Sequence, residues 1–456
     1  MNYIRNYREL IGHGSRGVRK VALDCLNAAI NAADTYQGTR RIVRLEGETL
    51  HAGKKRFDLS RIRNIYVVGA GKGSFPIALA LDRILGKRIA DGIVTVKDYG
   101  KGTLRHIRVL KAAHPVPDEV SLQGGCEVQR IASQVEKGDL VFACMTGGCS
   151  SLLVLPVEGI TLEDKIRVNR LLLRTGALIG EMNAVRKHLS LIKGGGLIKL
   201  FQPATVITLT QFTAPDSLPW PDPSLPDPST FGDAIEVLKH YEIWDQVPDR
   251  VRNHLLRGAA DPTLETPKNF EEWETYMFDT GNQRDACLAA VKLAKERGYH
   301  GVVLSTRIEG ESRDVGTVLA GIAKEIQLYG HPFKPPCVLA SAGETTVALQ
   351  GEAGEGGPNQ ELALGFARAI KGYAGIAAVS IDSEGTDGPT QIAGGIADGE
   401  TVSRAGDLGI DLFAVLKTHD SSTALKALGD AVITGATGTN VVNLRVVVVD
   451  RKRRRP

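Results

Sequence analysis

The chain has 456 residues, 43% hydrophobic and 24% charged, the balance of an ordinary globular protein with enough length for two α/β domains. Its net charge is +4, yet five cations stand in the run Arg451 to Arg455, and without that run the balance is −1. The body therefore lacks the basic excess of a nucleic-acid binder, and no apolar stretch approaches the ~18 residues of a membrane span, so neither partner is expected.

Six cysteines, at 25, 126, 144, 149, 287 and 337, form no C-x-x-C pair and no zinc spacing. They read as free thiols. The amino-terminal residues lack the apolar core of a secretory signal, and a reducing cytoplasm is the expected location.

In chain order, Val18, Ala22, Cys25, Leu26, Ala29 and Ile30 recur at helical spacing and predict an amphipathic helix over 15–33. That helix is expected to cover a sheet starting with the apolar run 65–68. Further short runs at 92–96, 108–110, 140–145 and 204–209, separated by helical segments such as 161–178, predict buried parallel strands with crossover helices. Six prolines crowd residues 212–228, which predicts a loop or extended connector. Helices are expected to resume over 231–241 and 283–297. A second α/β region then follows, with strands at 337–339, 345–349, 376–381 and 444–449 and a helix over 360–369. The fold class is α/β, in two domains divided as 1–255 and 256–456.

Chemistry concentrates on turns. Gly69-Ala70-Gly71-Lys72-Gly73-Ser74 joins a strand to a helix predicted over 75–85, so that backbone N–H groups and the helix dipole face an incoming anion. The turn is neither a P-loop nor a complete dinucleotide fingerprint, and Lys72 projects a cation from it. Gly147, Gly148, Ser150 and Ser151 follow the next long strand. The two serines read either as donors to phosphate or substrate oxygens, or with Ser150 as a helix cap.

Asn183, Arg186, Lys187, His188, Lys193 and the glycines around Gly195 gather three cations within a short stretch, which points to an anion site; His188 reads as a scaffold residue rather than a base. Towards the carboxyl end, Glu344, Asn359, Glu361, Asp382, Asp387 and Asn440 lie on or beside turns after strands. Hard oxygen ligands in such places suit Mg²⁺.

Taken in order, GAGKGS at 69–74, AHPVPDE at 113–119, GGCSSLL at 147–153, NAVRKHLS at 183–190, KGGGL at 193–197, GETTV at 343–347, GGPNQELAL at 356–364, GTDGPT at 385–390 and GTNV at 438–441 resemble the glycerate 2-kinase family, whose members also carry the label hydroxypyruvate reductase. The resemblance covers nearly the whole chain. It implies a larger Rossmann-like amino-terminal domain, a smaller α/β domain of the MOFRL type, an active site in the cleft between them, and transfer of the γ-phosphoryl group of ATP, with Mg²⁺, to the 2-hydroxyl of D-glycerate. By the same resemblance Lys72 holds the transferring phosphate, and Asn183, Arg186, Lys187 and Lys193 face carboxylate or phosphates. Glu344, Asn359, Glu361, Asp382 and Asp387 serve the metal or the hydroxyl, with Asp382, Asp387 and Glu361 as metal ligands and Lys72, Arg186, Asp382 and Asp387 as the catalytic set.

The chain departs from the family pattern at three places: residues 210–216 replace an acidic S-D-V-x-G-D segment, Pro358 replaces an arginine, and Val442 and Asn443 follow G-T-N-V. Two alternatives follow, a diverged sugar-acid kinase or non-catalytic nucleotide-binding relative, and a reductase whose Gly69 turn binds a nicotinamide cofactor with Asp98 on the ribose. Assembly into a homo-oligomer is left open.

Overall fold

The structure, a computed structural model, describes residues 2–99, 101–211, 223–349 and 351–451. The chain divides into two compact units, one formed by residues 35–280 and the other by 1–34 together with 281–456. This differs from a single boundary at 255/256.

The contiguous unit begins with a small antiparallel sheet of β1 (Val43–Glu46), β2 (Thr49–Ala52) and β3 (Lys55–Asp58). Its main sheet comprises β4 (Ile65–Ala70), β5 (Ile89–Val96), β6 (Arg108–Lys111), β7 (Leu140–Thr146), β8 (Thr205–Gln211) and β9 (Thr275–Asp279). The order is β6-β5-β4-β7-β8-β9, and every pairing is parallel. β4 and β7 are buried along their whole length, which is why they read as unbroken apolar runs in place of the alternation of a one-faced strand. One face packs on the helix Ser74–Leu85, the other on Val128, Ile131 and the residues around Ile198 and Phe201. The helix predicted over 161–178 runs from Leu162 to Thr175, set by a capping box in which Thr161 and Asp164 exchange hydrogen bonds. Of the proline-rich segment, 212–222 lies outside the described residues.

The second unit holds β10 (His300–Ser305), β11 (Cys337–Gly343), β12 (Ile376–Asp382), β13 (Gly394–Asp398), β14 (Ala431–Val432) and β15 (Asn443–Val449), in the order β10-β11-β15-β12-β13-β14. Only β10 and β11 run parallel; the other four pairings are antiparallel. The helix Arg16–Ala33 buries Ala22, Leu26, Ala29 and Ile30 against this sheet together with Ala286 and Ala290 of the helix Gln283–Glu296. It therefore covers the carboxy-terminal sheet and not the one starting at Ile65. The opposite face is covered by the helices Ser312–Tyr329 and Pro358–Ala369. The strand expected at 345–349 is absent: these residues form a connection after β11 in which Thr345 is buried and bonded to Ser312 and Arg445, Thr346 bridges to Glu311, and the rest is largely exposed.

Candidate active site

In the contiguous unit β5 and β6 lie to one side of β4, while β8 and β9 lie beyond β7. The order in which successive strands are added reverses between β4 and β7, and open parallel sheets hold ligands beyond the carboxyl ends of the strands at such a reversal. Both glycine turns sit there. Lys72 N–H donates to Gly147 O at 2.8 Å, and Gly73 N–H donates to Thr146 Oγ1 at 2.9 Å. Ser74 is wholly buried and donates to Cys144 O at 2.9 Å, so its hydroxyl ties the turns together and is not offered to a ligand.

The glycines have separate reasons. A Cβ on Gly69 would lie 2.3 Å from Cys144 O, and one on Gly71, whose φ is +139°, would lie 2.1 Å from Thr146 Oγ1. Gly69 is required by the close approach of β7 to β4, and Gly71 by that of the chain leaving the two strands. Gly73 precedes the first turn of the helix Ser74–Leu85, where amide donors are left without intrahelical acceptors. Gly148, at φ +89°, is flanked by two side chains: a Cβ there would sit 3.3 Å from Lys72 Cγ and 3.2 Å from His114 Cδ2. Lys72 is half-buried beside it. His114 belongs to the quoted AHPVPDE motif but was not expected at the site. Asp98, the ribose ligand of the reductase reading, is exposed and pairs with Lys111 at 2.8 Å.

The second group adjoins this one through Ser150. Ser150 does not cap a helix, since Gly148 is the N-cap of the short helix Cys149–Leu152. Its hydroxyl instead accepts from Lys193 Nζ at 2.7 Å, and Ser151 Oγ donates to Gly148 O at 3.3 Å. Arg186 is half-buried; its Nε donates to Asn169 Oδ1 at 2.9 Å and its Nη1 to Asn183 Oδ1 at 3.2 Å. Burial lowers the Arg186 pKa from its usual value. Lys165, which sequence reasoning passed over, donates to Leu189 O at 2.8 Å.

Lys187 does not join them. It is fully buried and pairs with Asp227, which also accepts from Ser229 and Thr266, so its charge is neutralised inside the fold. His188 is a scaffold residue as expected, held between Ala184 O at 2.6 Å and Glu265 Oε1 at 2.8 Å. Gly195 answers packing as well as turn geometry, for a Cβ there would meet the Phe270 ring at 2.9 Å.

In the other unit, register collects the polar turns at one end of the sheet. Asn443, the first residue of β15, lies opposite both Gly343 at the end of β11 and Asp382 at the end of β12. The turns carrying Glu344, Asp382 and Asn440 consequently share an edge. Glu344 is exposed, and Asp382 and Asn440 are half-buried.

Asp387 and Asn359, by contrast, face inward. Asp387 caps the helix Pro358–Ala369, accepting from the N–H groups of Asn359 at 3.2 Å and Gln360 at 3.0 Å and from Asn359 Nδ2 at 2.9 Å. Burial pushes its pKa up to about 6 against the opposing pull of those hydrogen bonds. Glu361 is buried and holds His419 Nδ1 at 2.7 Å. Among the described residues no group of three or more His, Cys, Asp or Glu side chains is placed to hold a metal. The expected ligand set of Asp382, Asp387 and Glu361 is thus not assembled, because the last two are engaged in the core.

The reversal point with its paired glycine turns defines an α/β enzyme of the switch-point type. Residues 21–256 match the domain of unknown function DUF4147, and residues 337–443 match the MOFRL family. The glycerate 2-kinase of Pyrococcus horikoshii is 38% identical over 441 residues, covering 96% of this chain and 99% of the relative. The D-glycerate 2-kinase of Thermotoga maritima is 37% identical over 402 residues, covering 87% and 94%. A crystal structure of glycerate kinase from Thermotoga maritima superposes with a TM-score of 0.84 at 34% identity, covering 94% of this chain and 99% of that one, and a Pyrococcus horikoshii crystal structure does so with a TM-score of 0.84 at 39% identity, covering 95% and 99%. The chain belongs to the glycerate 2-kinase family and is a phosphotransferase with an alcohol group as acceptor. Among the described residues no helix is long and apolar enough to cross a membrane.

Proposed function

We propose that the protein is a cytoplasmic D-glycerate 2-kinase, transferring the γ-phosphoryl group of ATP to the 2-hydroxyl of the acid with Mg²⁺ as cofactor. The observation that carries this reading is the junction of the Gly69–Ser74 and Gly147–Ser151 turns beside Lys72 at the strand reversal. Phosphoryl transfer asks little covalent chemistry of a protein and depends on positioning and on spreading charge over the moving group. Lys72, Gly73 and Ser74 spend their own N–H groups within the two turns and Pro76 has none, so the amino end of the Ser74–Leu85 helix contributes chiefly its dipole to a phosphate, and Lys72 supplies a point charge beside it.

For the metal, the donor set fits only in part. Mg²⁺ is commonly held by one or two carboxylates with phosphate and water oxygens, and Asp382, half-buried at the end of β12, is the candidate that matches. When bound, the ion would neutralise charge on the phosphates. The names of the relatives from Pyrococcus horikoshii and Thermotoga maritima support glycerate as the acceptor.

The test is Lys72→Ala assayed with Mg-ATP and D-glycerate. Removing a charge that acts on the transferring group is expected to lower kcat by about a hundredfold or more, with the melting temperature unchanged. Near-normal turnover would discredit the placement of the phosphate.

A further inference from the structure

The helix Leu162–Thr175 presents Lys165 and Asn169 four residues apart, hence on one side. The helix Ile179–His188 presents Asn183 and Arg186 three apart. Asn169 and Asn183 are both bonded to Arg186, and Lys193 reaches Ser150 from the following turn. Every acceptor named here is a neutral amide, hydroxyl or carbonyl oxygen. Among the described residues no carboxylate lies within ion-pair distance of Lys165 or Arg186, in contrast to Lys187 next door with its Asp227. Lys165 and Arg186 are half-buried, and like charges held close together repel, so an arriving anion is stabilised beside them. Burial, followed by the charges of Lys193 and Arg186, holds the Lys165 pKa well below its ordinary value, in keeping with the Asn169 side chain one turn along the same helix being bonded to Arg186.

We propose that Lys165, Arg186 and Lys193 form the seat of the acceptor's carboxylate, with Lys165 the residue that selects an acid over a neutral alcohol. This rests on the kinase reading above and deepens it. Ser150 links the seat to the phosphate-facing turn, since the same segment carries Gly147 bonded to Lys72 and Ser150 bonded to Lys193. A short 2-hydroxy acid anchored there by its carboxylate would have its hydroxyl only a bond or two away from the anchor. Chain length beyond that hydroxyl is not read by the cations, so specificity for an acid group is their contribution. Lys187 is excluded from the seat by its own ion pair.

The test uses the full chain with Mg-ATP and two acceptors, D-glycerate and glycerol. In Lys165→Gln, the KM for D-glycerate is expected to rise at least tenfold while that for ATP stays within twofold. The preference for D-glycerate over glycerol, as kcat/KM, should narrow by a similar factor, and Lys165→Arg should recover part of it. An unchanged KM for D-glycerate, or an equal rise for both substrates, overturns the proposal. Calorimetric titration of the wild-type protein with D-glycerate and with its uncharged amide, glyceramide, serves if the glutamine variant does not fold. Binding of the acid at least tenfold tighter than the amide supports the seat, and equal affinity overturns it. Absence of phosphorylation by the wild type would sink the kinase reading, while the calorimetric comparison would still decide the seat.

Discussion

Arg19 is among the largest side chains removed entirely from solvent, and its surroundings account for that. Its Nη1 donates to Asp398 Oδ2 at 3.1 Å, its Nη2 to Asp430 Oδ1 at 2.6 Å, and its Nε to the carbonyl of Leu10 at 2.7 Å. Asp430 is approached further by Arg404 at 2.6 Å and His13 at 2.9 Å. Burial alone would raise the Asp430 pKa; the His13 hydrogen bond and the charges of Arg19 and Arg404 reverse this and leave it lowered. A carboxylate lowered on folding contributes stability that is present above its unfolded pKa, roughly 4, and is lost as pH falls through the folded value. Asp387 has the opposite sign. With a folded pKa of about 6, it binds its proton more readily folded than unfolded, so its unit gains stability as pH falls through that value towards ~4. Urea midpoints should therefore rise slightly from pH 7 to 5 and fall below pH 4, and Asp387→Asn should remove the rise. Arg19→Met leaves two buried carboxylates short of a partner and should cost about 3–5 kcal/mol at pH 7. A midpoint unchanged in that variant would show that the network is dispensable.

At the scale of elements, the contrast between two glycines is instructive. Gly71 joins a strand to a helix with a φ of +139°, and a Cβ there would penetrate both the side chain and the carbonyl of Thr146. Gly321 lies inside the helix Ser312–Tyr329 with open space around it. Gly71→Ala should therefore force the two turns apart and lower kcat/KM at least tenfold, whereas Gly321→Ala should raise stability by about 0.5–1 kcal/mol through helix propensity and leave activity alone. Steady-state kinetics and thermal melts on the pair separate the two effects. The Gly69 turn was legible in the sequence because strand, glycines and apolar helix follow one another directly over 65–85. So were β4, β7 and β15, whose apolar runs leave no solvent face to interrupt them. The small sheet of β1 to β3 escaped because its strands have only four residues each and few buried positions, one in β1, two in β2 and none in β3, which is too little apolar pattern to read. Lys165 escaped for a different reason. Its sequence neighbours Asp164 and Arg167 make it one charge among several on a polar helix, and only folding shows that Asp164 is taken by Thr161 while Lys165 turns towards Arg186 and Lys193. Lys187 and Asp387 were read as ligand-facing because a charge beside glycines looks the same in sequence whether it points outward or is neutralised within.

At the scale of the molecule, chain order and spatial order disagree, and the disagreement is testable. The helix Arg16–Ala33 has a clear apolar stripe, but periodicity states only that a helix covers a surface and not which surface. Here it lies on the sheet of the unit that contains 281–456, with Ala22, Leu26, Ala29 and Ile30 fully or almost fully buried against residues such as Val379, Val446 and Val448. Burying apolar side chains of this kind stabilises by about 1.5–3 kcal/mol for each large one, and the Arg19 network is lost with the helix. A domain typically has a net stability of only about 5–15 kcal/mol. Removal of residues 1–34 should thus abolish the cooperative unfolding of that unit and expose its apolar sheet face to dyes that bind molten states. The contiguous unit, 35–280, keeps its own sheet and both covering layers and should retain a single cooperative melt when expressed alone. Calorimetry on the full chain, the 35–456 chain and the 35–280 chain provides the comparison. If the 35–456 chain still shows both transitions of the full-length protein, the amino-terminal helix is an accessory and the division at 34/35 carries no energetic meaning. If the 35–280 chain fails to melt cooperatively, that unit depends on the rest of the protein for its stability.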